Sequence, residues 1–213
     1  MLKIWGRANS SNVKKPLWAC AEMGVPYERI DAGLQFGVVN TDEYKAMNPM
    51  GLIPVIDDEG FVLWESNAIV RYLCAKHGKD TFWPSDLKIR AQADRWMDWQ
   101  CTTMGPALGT AFLHMVRLPN DKRDPALVHA NVPKAADLWR VVDRQLAQTK
   151  WLAGEHFTMG DMPLGILAYT WMELKLEDYD LAHHRVKLDN VWRWYDQLQA
   201  MKHYRDIVQI GLT

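Results

Sequence analysis

Two periodicities alternate over residues 1–80 of the chain. Short runs of apolar and β-branched side chains predict strands at 2–6 and 27–32. The segment 53–65 has the same character, and a turn at 57–60 divides it into two strands. Between the first two strands, apolar or small side chains recur at i, i+3, i+4 and i+7, which is one face of an α-helix.

Two more helices complete this region. One covers 41–47 with Thr41 as its N-cap, and the other covers 66–76. Ser11 or Asn12 is the expected N-cap of the first helix. The order β-α-β-α-β-β-α predicts a small mixed sheet with helices packed on it.

The strand pattern ends near residue 86, and long helical patterns follow. We therefore predict a first domain at 1–80, a linker at 81–86 and an all-helical domain at 87–213. One long helix of the second domain has an apolar stripe over 93–115, and Pro106 is expected to bend it because proline removes a backbone hydrogen bond.

Other helices of the second domain are expected near 125–149 and 191–198. Between them, Thr158 and Asp161 have the spacing of a capping box. In such a box the acidic side chain accepts a hydrogen bond from the backbone N–H of the capping residue.

Composition narrows the class of protein. Apolar residues make up 48% of the 213 residues and charged residues 24%, which is typical of globular chains and unlike disordered, collagen-like or membrane-spanning ones. The 25 Lys and Arg residues balance the 26 Asp and Glu residues, so no net field favours nucleic acid or an anionic membrane. No apolar run reaches the ~20 residues of a membrane span and no secretory signal is present, so we expect a cytoplasmic protein.

Metal and nucleotide chemistry have little support in the sequence. Cys20, Cys74 and Cys101 form no C-x-x-C pair, and we interpret them as reduced core residues. The seven histidines show no metal-ligand spacing, so no metal is expected. No glycine-rich phosphate loop of a nucleotide site occurs.

Three short polar stretches of the first domain are candidates for one site. The first, 9–12, places four small polar residues between the first strand and the first helix, where free N–H groups and the helix dipole favour an anion. Plain N-capping is the alternative, although capping needs only one such residue. The second stretch, 48–55, contains Ile53–Pro54, and a cis bond there would turn the Ile53 N–H and C=O outward to pair with an extended peptide.

The third stretch joins the end of a strand to the helix at 66–76. Ser66 can cap that helix, or its hydroxyl and the helix N-terminus can grip a carboxylate. Glu65 beside it can hold an ammonium group.

Together these motifs resemble those of the glutathione S-transferases. The resemblance rests on S-S-N at the first turn, N-P-M-G-L-I-P-V before a strand, E-S-N-A-I-V-R-Y-L at the following helix and F-T-M-G-D in the helical region, so it covers the whole chain. It implies a thioredoxin-like domain followed by a helical bundle, a cis Ile53–Pro54 bond, a homodimer, and glutathione as cosubstrate in the detoxification of small electrophiles.

The resemblance also implies residue roles. Glu65 and Ser66 match the residues that contact the γ-glutamyl unit in the family. Ile53 and Pro54 match the segment that pairs through its main chain with the cysteinyl unit. The turn that contains Ser11 matches the thiol site. Ser10 and Asn12 are both candidate donors to the thiol sulfur, and the alternatives remain open. A hydrogen bond from either would favour the thiolate.

Some positions depart from that pattern or are weaker candidates. Leu52 stands where the family often has Lys or Gln. Lys14 and Lys15 can attract an anionic peptide, but we interpret them as solvated surface residues. The second substrate is expected beside the face of the long helix formed by Trp99, Thr103, Pro106 and Thr110, unless Trp99 packs in the helical core.

The leading hypothesis is a glutathione S-transferase that conjugates small electrophiles. A second hypothesis keeps glutathione but changes the outcome to dehalogenation, ether cleavage or isomerisation. A third is a non-catalytic protein-interaction module on the same fold, against which Ser10, Glu65 and Ser66 argue because a scaffold needs no amino-acid clamp.

Overall fold

A four-stranded mixed sheet forms the centre of the first domain in the computed structural model, which describes residues 1–212. The strands run β2-β1-β3-β4 across the sheet. Strand β1 is parallel to β2 and antiparallel to β3, and β4 pairs with β3 through the predicted tight turn. The bounds are β1 Leu2–Trp5, β2 Tyr27–Ile30, β3 Val55–Asp58 and β4 Phe61–Trp64.

Three helices pack on this sheet where the sequence predicts them: α1 Ser11–Glu22, α2 Asp42–Met47 and α3 Ser66–His77. Thr41 caps α2 as predicted, because its side chain accepts a hydrogen bond from the Tyr44 backbone N–H at 3.2 Å. The prediction that Ser11 or Asn12 is the N-cap of α1 was wrong. Ser10, with extended backbone angles, occupies the N-cap position, and its side chain makes no capping bond.

The second domain is helical throughout its regular structure. A continuous but irregular helix consists of α4 Leu87–Trp99, a wider π-helical stretch, α5 Gly105–Phe112 and a second π-helical stretch. The first π-helical stretch ends at Met104, two residues before Pro106, where the sequence predicts a bend. The remaining helices are α6 Pro125–Leu146, α7 Asp161–Glu173, α8 Asp189–Ala200 and α9 Lys202–Ile207.

The sheet-containing part of the chain ends with α3, and the all-helical part begins with α4. We propose residues 81–86 as the linker between them. Thr213, the end of the predicted second domain, lies outside the described residues. Within the described part of the chain, no helix is both long and apolar enough to cross a membrane.

One aromatic side chain joins the two domains. Trp18 of α1 is fully buried, and its ring centroid lies 5.4 Å from that of Phe157 and 5.0 Å from that of Tyr204, both in the second domain. The core of the second domain therefore extends to the first helix of the chain.

The capping box is present at the start of α7. Asp161 is completely buried, and its carboxylate accepts hydrogen bonds from the backbone N–H groups of Thr158 and Leu152 and from the Trp194 indole. These bonds connect the start of α7 to two points of the loop that precedes it and to α8. Burial raises the pKa of Asp161 to about 6.

Candidate active site

The Ile53–Pro54 peptide bond is cis, as expected from the resemblance. Two side chains fix the loop before it, because the Tyr44 hydroxyl and the Asn48 amide both donate to the Leu52 carbonyl at 2.8 Å. Within residues 1–212 the Ile53 N–H and C=O make no hydrogen bond. They are the main-chain groups that the sequence assigns to pairing with a peptide.

The polar turn before α1 divides into a buried part and an open part. Ser10 is only 7% exposed, whereas Asn12 is exposed on the first turn of the helix. Ser11 and Asn12 line a cavity of about 350 Å³ between the domains, and Ser10 is not among its lining residues. Of the two candidate donors to a thiol, Asn12 is therefore the one that faces this cavity.

The start of α3 forms the opposite wall of the same cavity. Glu65 adopts a left-handed backbone with a φ of 71°, a conformation that costs energy for a residue with a Cβ. Ser66 is buried, and its hydroxyl donates weakly to Asn12 Oδ1 at 3.4 Å. The structure thus brings the first and third polar stretches together at one place.

The surface assignment of Lys14 and Lys15 was wrong, because both side chains are buried. The Lys14 ammonium donates to the Val208 carbonyl at 2.8 Å and lies over the Tyr169 ring, where it ties α1 to the end of α9. The Lys15 ammonium lies on the floor of the cavity and donates to Ser66 Oγ at 3.1 Å and to Gln100 Oε1 at 3.0 Å.

Burial affects both lysines in the same way. Loss of hydration disfavours the charged form and lowers the pKa of each ammonium group to about 8. A signal for the position of Lys15 is present in the sequence. It follows Ser11 and Asn12 by four and three residues, and this spacing places all three on one face of α1.

The second domain provides the other wall, and sequence reasoning identified little of it. Gln100 and Cys101 line the polar end, while Leu108, Phe112 and Leu167 line the apolar part. Cys101 is exposed, so its assignment to the core was wrong, whereas Cys20 and Cys74 are buried as expected.

A hydrogen-bonded side chain of the first domain holds this wall in place. The Asn67 side-chain amide donates to the Met97 carbonyl at 2.8 Å and to Cys101 Sγ at 3.1 Å. Asn67 therefore fixes the start of α3 against the segment that carries Gln100 and Cys101.

The four residues predicted for the second substrate separate in the structure. Pro106 lines the cavity, but Trp99, Thr103 and Thr110 are not among its lining residues. Trp99 packs edge-on against Trp96 in the helical core and borders a different groove, which is the alternative stated above for that residue. The Thr110 hydroxyl is bonded to the carbonyl of Pro106 in its own helix.

A larger cavity lies elsewhere in the molecule. It measures about 570 Å³ and is bordered by residues between α3 and α4, such as Asp80 and Ser85, and by Glu155. No polar stretch from 9–12, 48–55 or 65–67 reaches it. In the part of the chain that the structure describes, no group of three or more His, Cys, Asp or Glu side chains could hold a metal ion.

Comparison with known proteins gives a consistent result. Residues 1–75 match the family described as "Glutathione S-transferase, N-terminal domain". The chain is 37% identical to Glutathione S-transferase GstB of Escherichia coli (strain K12), and the match covers 100% of both. The chain belongs to the glutathione S-transferase family.

A solved structure and a further sequence relative agree with this placement. The theta class enzyme from Xanthomonas axonopodis pv. citri with glutathione bound superimposes with a TM-score of 0.92, at 40% identity, over 100% of this chain and 99% of that one. Glutathione S-transferase 4 of Zea mays is 30% identical over 93% of this chain and 88% of its own. The protein is a transferase with glutathione as its cosubstrate, which argues against the non-catalytic module.

Proposed function

We propose that the cavity between the domains binds glutathione and activates its thiol for conjugation to small electrophiles. The single observation that carries this proposal is the convergence of Asn12, Ser66 and Glu65 on one cavity. The carboxylate of the γ-glutamyl unit binds at Ser66, and its ammonium group binds at Glu65. Ile53 and Pro54 hold the middle of the peptide through main-chain pairing.

The thiol then lies at the first turn of α1. A free thiol has a pKa of about 8.5, and lowering it by ~2 units takes ~2.7 kcal/mol. We assign the Asn12 amide as the principal donor, because Asn12 is exposed to the cavity while Ser10 is buried behind the turn. Ser10 and Ser11 support the turn, and the N-terminus of α1 adds its dipole.

The reaction that follows is a nucleophilic substitution or addition. The thiol proton passes to water, and the sulfur lone pair forms a bond to the electrophilic carbon. In a substitution the leaving group departs with its bonding electrons, and in an addition the π electrons of the attacked double bond move to the neighbouring atom, which takes a proton from water. Pro106, Leu108 and Phe112 provide an apolar wall next to the thiol site, so the second substrate is a small, largely apolar electrophile. Such a reaction serves detoxification.

We also propose that the protein acts as a cytoplasmic homodimer. The support is the family resemblance together with strand β4, which is an edge of the sheet. Phe61 and Val62 on this strand are apolar and exposed. An exposed apolar edge strand is a surface that a second protein chain tends to cover.

A thiol titration tests the proposed activation. Bound glutathione is titrated by the ultraviolet absorbance of its thiolate in the parent protein and in Asn12→Ala and Ser10→Ala. We expect Asn12→Ala to raise the pKa of the bound thiol by about 1–2 units, since it removes a donated hydrogen bond. Affinity for S-methylglutathione, which has no ionisable thiol, should change less than about threefold.

Ser10→Ala is the matched comparison from the same turn. A large effect of Ser10→Ala with none of Asn12→Ala would assign the donor to Ser10 instead. If neither variant changes the thiol pKa, activation by this turn is wrong. If the parent protein binds neither peptide, the whole proposal fails.

A further inference from the structure

A buried cation lies at the polar end of the glutathione cavity. Lys15 is 2% exposed, yet its ammonium group contacts only neutral oxygens, Ser66 Oγ at 3.1 Å and Gln100 Oε1 at 3.0 Å. An ammonium group has three hydrogens to donate, and these two contacts use two of them. The third donor has no partner within residues 1–212.

No ion pair compensates this charge among the described residues. The ion pairs formed by residues 1–212 do not include Lys15. The Glu65 carboxyl and the Cys101 thiol act on the Lys15 charge electrostatically, without an ion pair. A buried charge without a counter-ion is costly, so an anion that enters the cavity gains a strong interaction.

We propose that Lys15 is the counter-ion of the γ-glutamyl α-carboxylate and therefore determines the selectivity of the site for the amino-acid end of glutathione. This inference rests on the proposed function. The sequence analysis assigns only Ser66 and the start of α3 to the carboxylate, and Lys15 adds a buried positive charge to them.

The hydrogen bonding of Ser66 supports this role. Because Lys15 donates to the Ser66 oxygen, the hydroxyl hydrogen remains available to donate elsewhere. That hydrogen is directed to Asn12 Oδ1 at the long distance of 3.4 Å. A carboxylate placed beside Ser66 would accept that hydrogen in a shorter, charge-assisted bond.

The distribution of charge also fits a zwitterion. Glu65 is exposed on the wall of the cavity, and Lys15 is buried on its floor. Ser66 follows Glu65 in the sequence and accepts a hydrogen bond from Lys15. The ammonium and the carboxylate of one amino-acid group can face these opposite charges at the same time.

Lys14 offers a matched control on the same helix. It is as buried as Lys15, but its ammonium group is bonded to the Val208 carbonyl, and it does not line the cavity. The substitution Lys14→Met therefore removes a buried lysine without removing the proposed counter-ion.

Calorimetric binding of two peptides provides the test. One is S-methylglutathione, and the other is the same peptide with γ-aminobutyrate in place of γ-glutamate, which lacks only the α-carboxylate. We expect the parent protein and Lys14→Met to prefer S-methylglutathione at least about tenfold. In Lys15→Met the preference should fall to about threefold or less, through weaker binding of S-methylglutathione alone. Lys15→Arg, which keeps the charge, should retain part of the preference.

Equal weakening of both peptides in Lys15→Met would overturn the proposal, since it indicates a structural role. Equal affinity of the parent protein for the two peptides would also overturn it, and that measurement needs no variant. If Lys15→Met does not fold, Lys15→Arg decides the outcome: a reduced but remaining preference for S-methylglutathione supports the proposal, and equal weakening of both peptides overturns it. Absence of any binding by the parent protein would instead contradict the proposed function itself.

Discussion

The Lys15 ammonium and the Gln100 side-chain oxygen lie 3.0 Å apart and come from different domains. Lys15 is on the second turn of α1, and Gln100 begins the π-helical stretch after α4. The floor of the proposed glutathione cavity is therefore an interdomain contact. Its geometry depends on the wider helical turns that place Gln100 toward the first domain.

This contact predicts the effect of Gln100→Glu. The new carboxylate is nearly identical in shape to the amide and gives Lys15 an internal counter-ion. We expect the affinity for S-methylglutathione to fall at least about tenfold, because the peptide carboxylate then competes with Glu at this position. The melting temperature should stay constant or rise, and calorimetric binding with thermal unfolding measures both. Unchanged affinity would show that the charge of Lys15 does not act on the peptide.

The buried carboxyl of Asp161 predicts a pH dependence of stability. Its pKa is about 6 in the folded protein, against about 3.9 for an unperturbed Asp in an unfolded chain. Between these values the folded state binds more protons, so the free energy of unfolding decreases as pH rises from 4 to about 6. The expected loss is at most about 3 kcal/mol, from ~2 pKa units.

Asp161→Asn isolates that contribution. Asn keeps one oxygen that can accept from Leu152 and the Trp194 indole, but its NH2 group replaces the oxygen that accepts from the Thr158 N–H, which costs about 1–3 kcal/mol at all pH values. Urea unfolding of both proteins between pH 4 and 7 should show the parent losing stability relative to the variant as pH rises. A constant difference across that range would contradict the raised pKa.

Gly160 predicts a steric limit at the contact between α4 and α7. A Cβ at this position would lie 2.8 Å from the Cα of Ala93 and 3.0 Å from its carbonyl oxygen. Because backbone atoms cannot move aside like a flexible side chain, Gly160→Ala should lower the free energy of unfolding by about 1–3 kcal/mol.

Gly109→Ala is the control for Gly160→Ala. Nothing lies within 4 Å of a Cβ at Gly109, which is inside α5. Alanine there should stabilise the protein by up to about 1 kcal/mol, since glycine is a poor helix former. Equal destabilisation in the two variants, measured by urea unfolding, would exclude the steric explanation.

The edge strand β4 predicts the oligomeric state. If Phe61 and Val62 are covered by a second copy, Val62→Lys should shift the protein from dimer to monomer in sedimentation velocity. Val186→Lys is the matched control, because Val186 is a similarly exposed valine outside the sheet. A monomeric parent, or a dimer that Val62→Lys leaves intact, would contradict the proposed interface.

The fold was predictable where local sequence determines it. Periodicity alone located the strands and the helices of the first domain, and the capping roles of Thr41 and Asp161 followed from residue type and spacing. The cap of α1 was misplaced by one or two residues, since several capping residues occur in succession at Ser10, Ser11 and Asn12.

The site was only half predictable for a physical reason. The residues of the first domain lie in short stretches next to helix ends, so their chemistry is visible in the sequence. Burial of Lys14 and Lys15 depends on partners such as Val208 and Gln100, which are distant in sequence and come from the other domain. The prediction that Trp99 contacts the second substrate was wrong, because helical periodicity does not reveal which face of a helix in a bundle lines the cleft.

The enclosure of Trp18 has a consequence for protein engineering. Its indole ring belongs to the thioredoxin-like half but is covered by aromatic rings of the helical half. A chimera that joins either half to that of a relative must therefore preserve the shape of this socket. If the thioredoxin-like half were expressed alone, the Trp18 ring would be exposed to water. The floor of the cavity would also lack Gln100.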